Sequence, residues 1–265
     1  MIKKRGRYMN EEIISTSIVE RNYIDLCAKV ASLFNSKVIK TPYYSWVANP
    51  LNDWFDRVFN LNILPENIDK VLADLVQNIE NGSIPKYIVT GSTSKPANFD
   101  KYLLENNFVL AFEQSGMAIY LDKIAEFSHN EHEIKVVESE ADLFKWVDTV
   151  NEAFDINDNP ELYLRLFNDD GITFYAGYDS NKIVATTMLF RTRDTAGIHQ
   201  VGTLKAYRGK GLGTALTKRA FYDAKLKGCR FGVLQASEMG KKVYSKVGLS
   251  EYCKVRHWEY KKQAL

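Results

Sequence analysis

The chain has 265 residues, of which 45% are hydrophobic, 12% aromatic and 26% charged. That balance fits a globular protein with a sizeable core and excludes a low-complexity or fibrous chain. A net charge of +2 gives no reason to expect nucleic acid as a partner, and no window approaches the ~20 apolar residues of a membrane span. Cys27, Cys229 and Cys253 are odd in number and lack CxxC spacing. Neither a disulfide framework nor a metal site is expected, and the setting reads as a reducing cytoplasm.

In chain order, Lys3, Lys4, Arg5 and Arg7 form a basic head over 1–10. No apolar run of signal-peptide length follows it, so it reads as a disordered tail or as an extension ahead of Met9. Residues 11–35 predict a helix, with Tyr23, Leu26, Val30 and Leu33 on one stripe. Short strands are expected at 43–47 and 57–59. A helix starting at Pro65 is closed by Gly82. A strand at 87–89, a turn-rich loop at 91–96 and a short helix at 99–106 follow. Residues 108–112 and 117–121 read as a strand pair around Gly116.

The polar stretch 122–133 reads as a linker, its core at 124–133. After it come a strand at 134–137 and a helix N-capped by Ser139 with Asp142 three residues on. A further helix begins at Pro160. Strands are expected at 172–178, 183–191 and 197–204, then a helix at 212–227, a strand at 231–235, a helix at 237–247 and a strand at 252–260. Three consecutive antiparallel strands ahead of a β-α-β unit predict an α+β fold with a mixed sheet.

The most informative stretch is Lys205-Ala-Tyr-Arg-Gly-Lys-Gly-Leu-Gly-Thr214, between a strand and a helix. A glycine-rich turn entering a helix N-terminus presents free N–H groups and the positive end of the helix dipole, which together cradle a phosphate. A Walker A loop is excluded, because Lys210 is followed by Gly211. A dinucleotide fingerprint is excluded, because Leu216 stands where its third glycine belongs and no acidic residue follows ~20 positions on.

The remaining pattern, Arg208-x-x-Gly211-x-Gly213 after a strand, resembles the acyl-CoA loop of the GCN5-related N-acetyltransferase (GNAT) family. A second stretch, Leu234-Gln-Ala-Ser237 followed by Gly240, Tyr244 and Gly248-Leu249, resembles that family's other CoA-contacting motif, with Leu249 where Phe is usual. The resemblance covers about 132–260. It implies the GNAT fold and acetyl-CoA as cofactor. The amides of Arg208, Gly209, Lys210, Gly211, Leu212, Gly213 and Thr214 would hold the pyrophosphate. Lys205, Lys210 and Lys241 would reach the other phosphates or remain solvated. The main chain of Gly202, Thr203 and Leu204 would line the pantetheine, and Ser237 would belong to the second motif.

The resemblance further implies that the Thr203 N–H stabilises the oxyanion and that Tyr244 is the general acid for the thiolate. A core aromatic without a proton role is the other reading of Tyr244. His199 is the candidate base, against a structural histidine with water as base, and its facing depends on whether β-strand alternation is broken by a bulge. Glu152 and Glu238 are weaker alternatives. His129, His132 and His257 lack metal-ligand spacing. The expected function is transfer of an acetyl group to a small-molecule or amino-acid-like amine. A non-catalytic acyl-CoA-binding regulator and an acyltransferase with a peptide acceptor are the competing readings. Such proteins often dimerise, so a homodimer is an expectation.

The first half lacks a glycine loop. Its run Asp100 to Phe108 echoes Tyr244 to Leu249, each a helix, a turn and an apolar strand. The reading is a degenerate GNAT-like half at 11–123 in tandem with a working one at 134–265, the first walling the acceptor site. Tyr43, Tyr44, Trp46, Trp54 and Phe55 are the candidate wall, or else an ordinary aromatic core.

Overall fold

A computed structural model of the chain describes residues 16–48, 55–127 and 132–262. The basic head, Trp54 and His129 lie outside the described residues. Helix α1 (Thr16–Leu33) is followed by three short strands, β1 (Ile39–Lys40), β2 (Ser45–Val47) and β3 (Arg57–Phe59). Then come α2 (Ile68–Glu80), β4 (Tyr87–Thr90), α3 (Phe99–Glu105) and β5 (Phe108–Tyr120). The second half runs β6 (Glu133–Val136), α4 (Glu140–Phe154), α5 (Pro160–Phe167), β7 (Ile172–Asp179), β8 (Lys182–Thr192), β9 (Thr195–Thr203), α6 (Leu212–Leu226), β10 (Phe231–Ala236), α7 (Glu238–Val247) and β11 (Ser250–Tyr260).

Local signals explain most of these boundaries. The Ser139 hydroxyl accepts from the Asp142 N–H at the start of α4, and Pro160 occupies the first turn of α5 behind the Asn159 cap. Gly82 and Gly248 take positive φ where α2 and α7 end. One expectation fails. Residues 108–121 are not a strand pair, because β5 runs unbroken through Gly116. Gly116 is needed there for closeness rather than for a turn, since a Cβ would stand 2.4 Å from Cys253 Sγ.

All the strands join one 11-stranded mixed sheet in the order β1-β2-β3-β4-β11-β5-β10-β9-β8-β7-β6. Two runs repeat within it. β1, β2 and β3 are antiparallel, α2 follows, and β3 lies parallel to β4. β7, β8 and β9 are antiparallel, α6 follows, and β9 lies parallel to β10. In each run a helix and a long strand complete the series, α3–β5 in the first and α7–β11 in the second. These two long strands cross over. β5 pairs with β10 of the second run, β11 pairs with β4 of the first, and β5 and β11 pair with each other. The runs are therefore not two separate sheets.

The core is divided by this sheet. One apolar cluster joins α1, α4 and α5 to one face, through Tyr23, Leu26, Trp146, Tyr163 and Phe174. A second joins α6 and α7 to the other face, through Leu212, Leu216, Phe221 and Tyr244. A third gathers first-half residues around Leu72, Leu75 and Phe99 with Trp258 of β11. Helix α1 is set against β8, β9, β10, β5 and β11, so a first-half helix roofs the second-half strands. The buried face of α1 is not purely apolar: Glu20 and Asn22 are buried with it.

Candidate active site

The site begins where two parallel strands part. β9 and β10 pair from Thr195 with Phe231 to Ile198 with Leu234, and β9 then continues to Thr203 beside β8 alone. The register against β8 steps from Met188–His199 to Thr186–Gly202, so β9 carries one extra residue, a β-bulge. Gln200 adopts φ 50° within it. The bulge is stitched by Thr186, whose hydroxyl donates to Gln200 O (3.0 Å) and accepts from the Gly202 N–H (3.2 Å).

This bulge settles the facing of the strand. His199 and Gln200 both line the same cleft, where simple alternation would have turned them apart. It also decides which amides are available. The Gly202 N–H is taken by Thr186, and the Leu204 N–H donates to Val184 O at 2.9 Å. Both point toward β8, so alternation turns the Thr203 N–H toward the gap. Gly202 serves by its size, since a Cβ there would lie 2.9 Å from Thr186 Oγ1 and 3.0 Å from the Ala153 methyl.

The glycine loop follows at the same end of β9. Gly209 and Gly211 take φ 79° and 86°, left-handed values that glycine adopts without strain. Gly211 is the N-cap of α6 and no side chain caps that end. Gly211 O accepts from the Ala215 N–H at 3.0 Å, leaving the amides of Leu212, Gly213 and Thr214 aimed outward, as the first turn of any helix must. Among the cations, Lys205 is exposed and Lys210 stacks 5.0 Å over the Tyr207 ring. Arg208 is exposed but held by protein carbonyls: Nε donates to Thr203 O (3.0 Å) and Nη2 to Ala153 O (3.0 Å). Its guanidinium therefore ties the loop to β9 and α4. Lys241 is ion-paired with Glu251 on β11. His132, passed over in sequence, brings Nε2 to 3.3 Å from where a Gly211 Cβ would stand.

A cleft of about 130 Å³ lies in the gap. β9 contributes His199, Gln200 and Val201, β10 and α7 contribute Gln235, Ser237 and Tyr244, and the first half contributes Tyr23, Leu26, Phe55 and Gln114. Ser237 caps α7 by accepting from the Gly240 N–H at 3.2 Å. The Tyr244 ring lies against Gly240, where a Cβ would meet Cε2 at 3.0 Å. A tyrosine is already protonated at neutral pH, and burial raises the Tyr244 hydroxyl further. Glu152 and Glu238 are exposed and do not line the cleft. Of the aromatic wall expected from the first half, Phe55 lines the cleft, whereas Tyr43, Tyr44 and Trp46 belong to the first half's own core.

His199 has a partner that the sequence did not suggest. Its Nε2 lies 3.2 Å from Asn22 Oδ1 on α1. The Asn22 amide nitrogen donates to Phe190 O (3.4 Å) and Thr192 Oγ1 (3.2 Å). Oδ1 is therefore an acceptor, so Nε2 carries the proton and Nδ1 is left as the basic nitrogen. Gly197 makes this contact feasible, because a Cβ there would fall 1.7 Å from Asn22 Oδ1. Burial lowers the His199 pKa to about 4, so the ring is neutral at physiological pH. The available signal for Asn22 was a polar residue on the apolar stripe of a helix, a local conflict that often marks a site.

A strand gap flanked by an uncapped glycine loop and closed by a tyrosine on the next helix can hold a phosphorylated acyl carrier along the exposed amides of β9. Residues 136–248 match the family model described as "Acetyltransferase (GNAT) family". This part of the chain is a GNAT-family domain. The whole chain is similar in structure to a GCN5-related N-acetyltransferase from Kribbella flavida, with TM-score 0.71, 14% identity, and 96% and 98% of the two chains covered. It is also similar to a functionally unknown conserved protein from Staphylococcus epidermidis ATCC 12228 (TM-score 0.63, 15% identity, 84% and 93% covered). A GCN5-related N-acetyltransferase from Sphaerobacter thermophilus gives TM-score 0.59 and 18% identity, with 82% and 79% covered. At these identities the likeness is one of fold. A search of curated proteins gives no match. Both the glycine loop and Tyr244 fall inside the matched GNAT segment, whereas Asn22, Tyr23 and Phe55 come from outside it.

Proposed function

We propose that the protein is an acetyl-CoA-dependent N-acetyltransferase acting on a small amine by direct attack on the thioester. The observation that carries this reading is the gap between β9 and β10, which opens beside the uncapped glycine loop with Tyr244 and His199 in its wall. Acetyl-CoA fits that arrangement and supplies the activated acetyl group. The amides of the loop and of the first turn of α6 hold its pyrophosphate, with Lys205 and Lys210 adding positive charge. The Thr203 N–H stabilises the oxyanion formed on attack. Tyr244, protonated at neutral pH, gives its proton to the departing thiolate. His199 takes the proton of the amine at Nδ1.

Among the described residues of the cleft wall none is Asp, Glu, Lys or Arg. A polycationic acceptor would need carboxylates there, so the reading favours an amine carried on an apolar body, lying against Leu26, Phe55 and Met188. We read the first half, 11–123, as a GNAT-like half that has lost its phosphate site, joined through 124–133 to the active half, 134–265. The loop from β3 to α2 stands where the second half has its glycines. It carries none, and it buries Leu61 and Ile63 instead. The buried free thiols of Cys27, Cys229 and Cys253 suit a reducing cytoplasm.

Thiol release from acetyl-CoA across a panel of apolar amines tests the activity. Release with at least one amine is expected; CoA binding without any release would leave a binding module in place of an enzyme. Tyr244→Phe should slow turnover by about 10²-fold, within the usual range for a general acid, while calorimetry shows CoA affinity nearly unchanged. Equal turnover would remove Tyr244 from the chemistry.

A further inference from the structure

A second cavity lies apart from the cleft. It has a volume of about 500 Å³ and lies between α1 and the turn joining β8 to β9, within the roughly 300–1,000 Å³ typical of small-molecule sites. Arg21, Asn22 and Asp25 line it from α1, Thr192 and Arg193 from the turn, and Phe231 from the start of β10. Asn22 is the partition between this cavity and the cleft, because its side chain also holds His199.

The charges around it are arranged for a ligand. Arg21 and Arg193 are both exposed, come from different elements and face the same Asp25. Among the described residues neither guanidinium makes an ion pair, whereas Asp194, which also lines the cavity, lies 3.7 Å from Arg230. Burial raises the Asp25 carboxyl, against the opposing pull of Arg21 and Arg193; a cation at that carboxylate would relieve the burial cost. Arg193 holds φ 50°, a left-handed turn conformation normally given to Gly or Asn. The two-residue hairpin between β8 and β9 calls for that conformation, and it fixes Arg193 at the rim of the cavity.

We propose that this cavity is a second binding site, for a free α-amino acid. Its carboxylate lies between the Arg21 and Arg193 guanidinium groups, whose planar forks match that geometry. Its ammonium faces Asp25, and its side chain lies toward the Phe231 ring. The site is outside the cleft and carries no part of the acetyl transfer, so its failure leaves the acetyltransferase reading standing.

Isothermal titration of the full-length protein with the common α-amino acids tests this, with the matching decarboxylated amines and deaminated acids as controls. At least one α-amino acid should bind one to one, and its decarboxylated amine should not bind. Arg21→Gln and Arg193→Gln should each weaken binding by about tenfold or more, the loss expected for a charge-assisted contact. Both side chains are exposed, and circular dichroism checks that the variants keep their fold. Absence of binding by any α-amino acid up to about 10 mM, well into the weak regime, overturns the proposal. Binding that neither substitution weakens also overturns it, because the ligand would then sit elsewhere.

Discussion

Asn22 and His199 are 177 residues apart in sequence and 3.2 Å apart in space. With the Asn22 amide nitrogen held by Phe190 O and Thr192 Oγ1, His199 has one tautomer and one free basic nitrogen. Its lowered pKa, about 4, comes from burial. A base must be unprotonated to act, so activity that uses His199 is lost only as pH falls through about 4. Asn22→Asp keeps the shape and adds a negative charge that favours the imidazolium. The acid limb of kcat/KM should then move to higher pH by about one unit or more; an unmoved limb would leave water as the base. That Tyr244 and Ser237 stand together in the cleft wall was legible through the resemblance of their shared strand-to-helix motif. Asn22 was not, because its role depends on where α1 is laid across the sheet.

At the scale of elements, the strand-to-helix units were readable because each is built by local rules. The N-terminus of α6 has left-handed glycines at 209 and 211 and no side-chain cap. Gly211→Val should strain the φ 86° turn and crowd the anion cradle. A loss of CoA affinity of at least about tenfold is expected by calorimetry, consistent with the roughly 1–3 kcal/mol cost of a strained non-glycine residue. The bulge in β9 was not readable, since it depends on Thr186 of the neighbouring strand. Nor was the anchor of α1. The Glu20 carboxylate is buried and accepts from the Ser92 N–H (2.7 Å) and hydroxyl (2.6 Å), and from the Thr93 N–H (3.3 Å) and hydroxyl. Gly91 leaves room for it, since a Cβ there would come within 2.6 Å of the carboxylate. Glu20→Ala removes these charge-assisted bonds, but Ser92 and Thr93 are exposed and water can take up their donors, so stability should fall by about 1 kcal/mol, read from urea unfolding; no measurable loss would show that water replaces the carboxylate without penalty.

For the whole molecule, the exchange of β5 and β11 decides how the halves depend on each other. Each half completes its sheet with the other's last strand. Expressed alone, 1–123 and 124–265 should each present an unpaired edge and self-associate, while co-expression should return a one-to-one complex on gel filtration. Two monomeric, separately folded halves would contradict the exchange. The sequence by itself determined the alternation of strands and helices, the mixed sheet of the second half, and the glycine turn that enters α6 without a side-chain cap. Those features are written in periodicity, caps and glycines within a few residues of one another. Tertiary structure alone decided that β5 is one strand lodged between β10 and β11, that α1 roofs the cleft, and that His199 and Gln200 share a face. The first two are pairings between segments far apart in the chain, chosen by which surfaces bury best against each other; the third rests on a hydroxyl of the neighbouring strand, and the pattern within β9 carries none of that information.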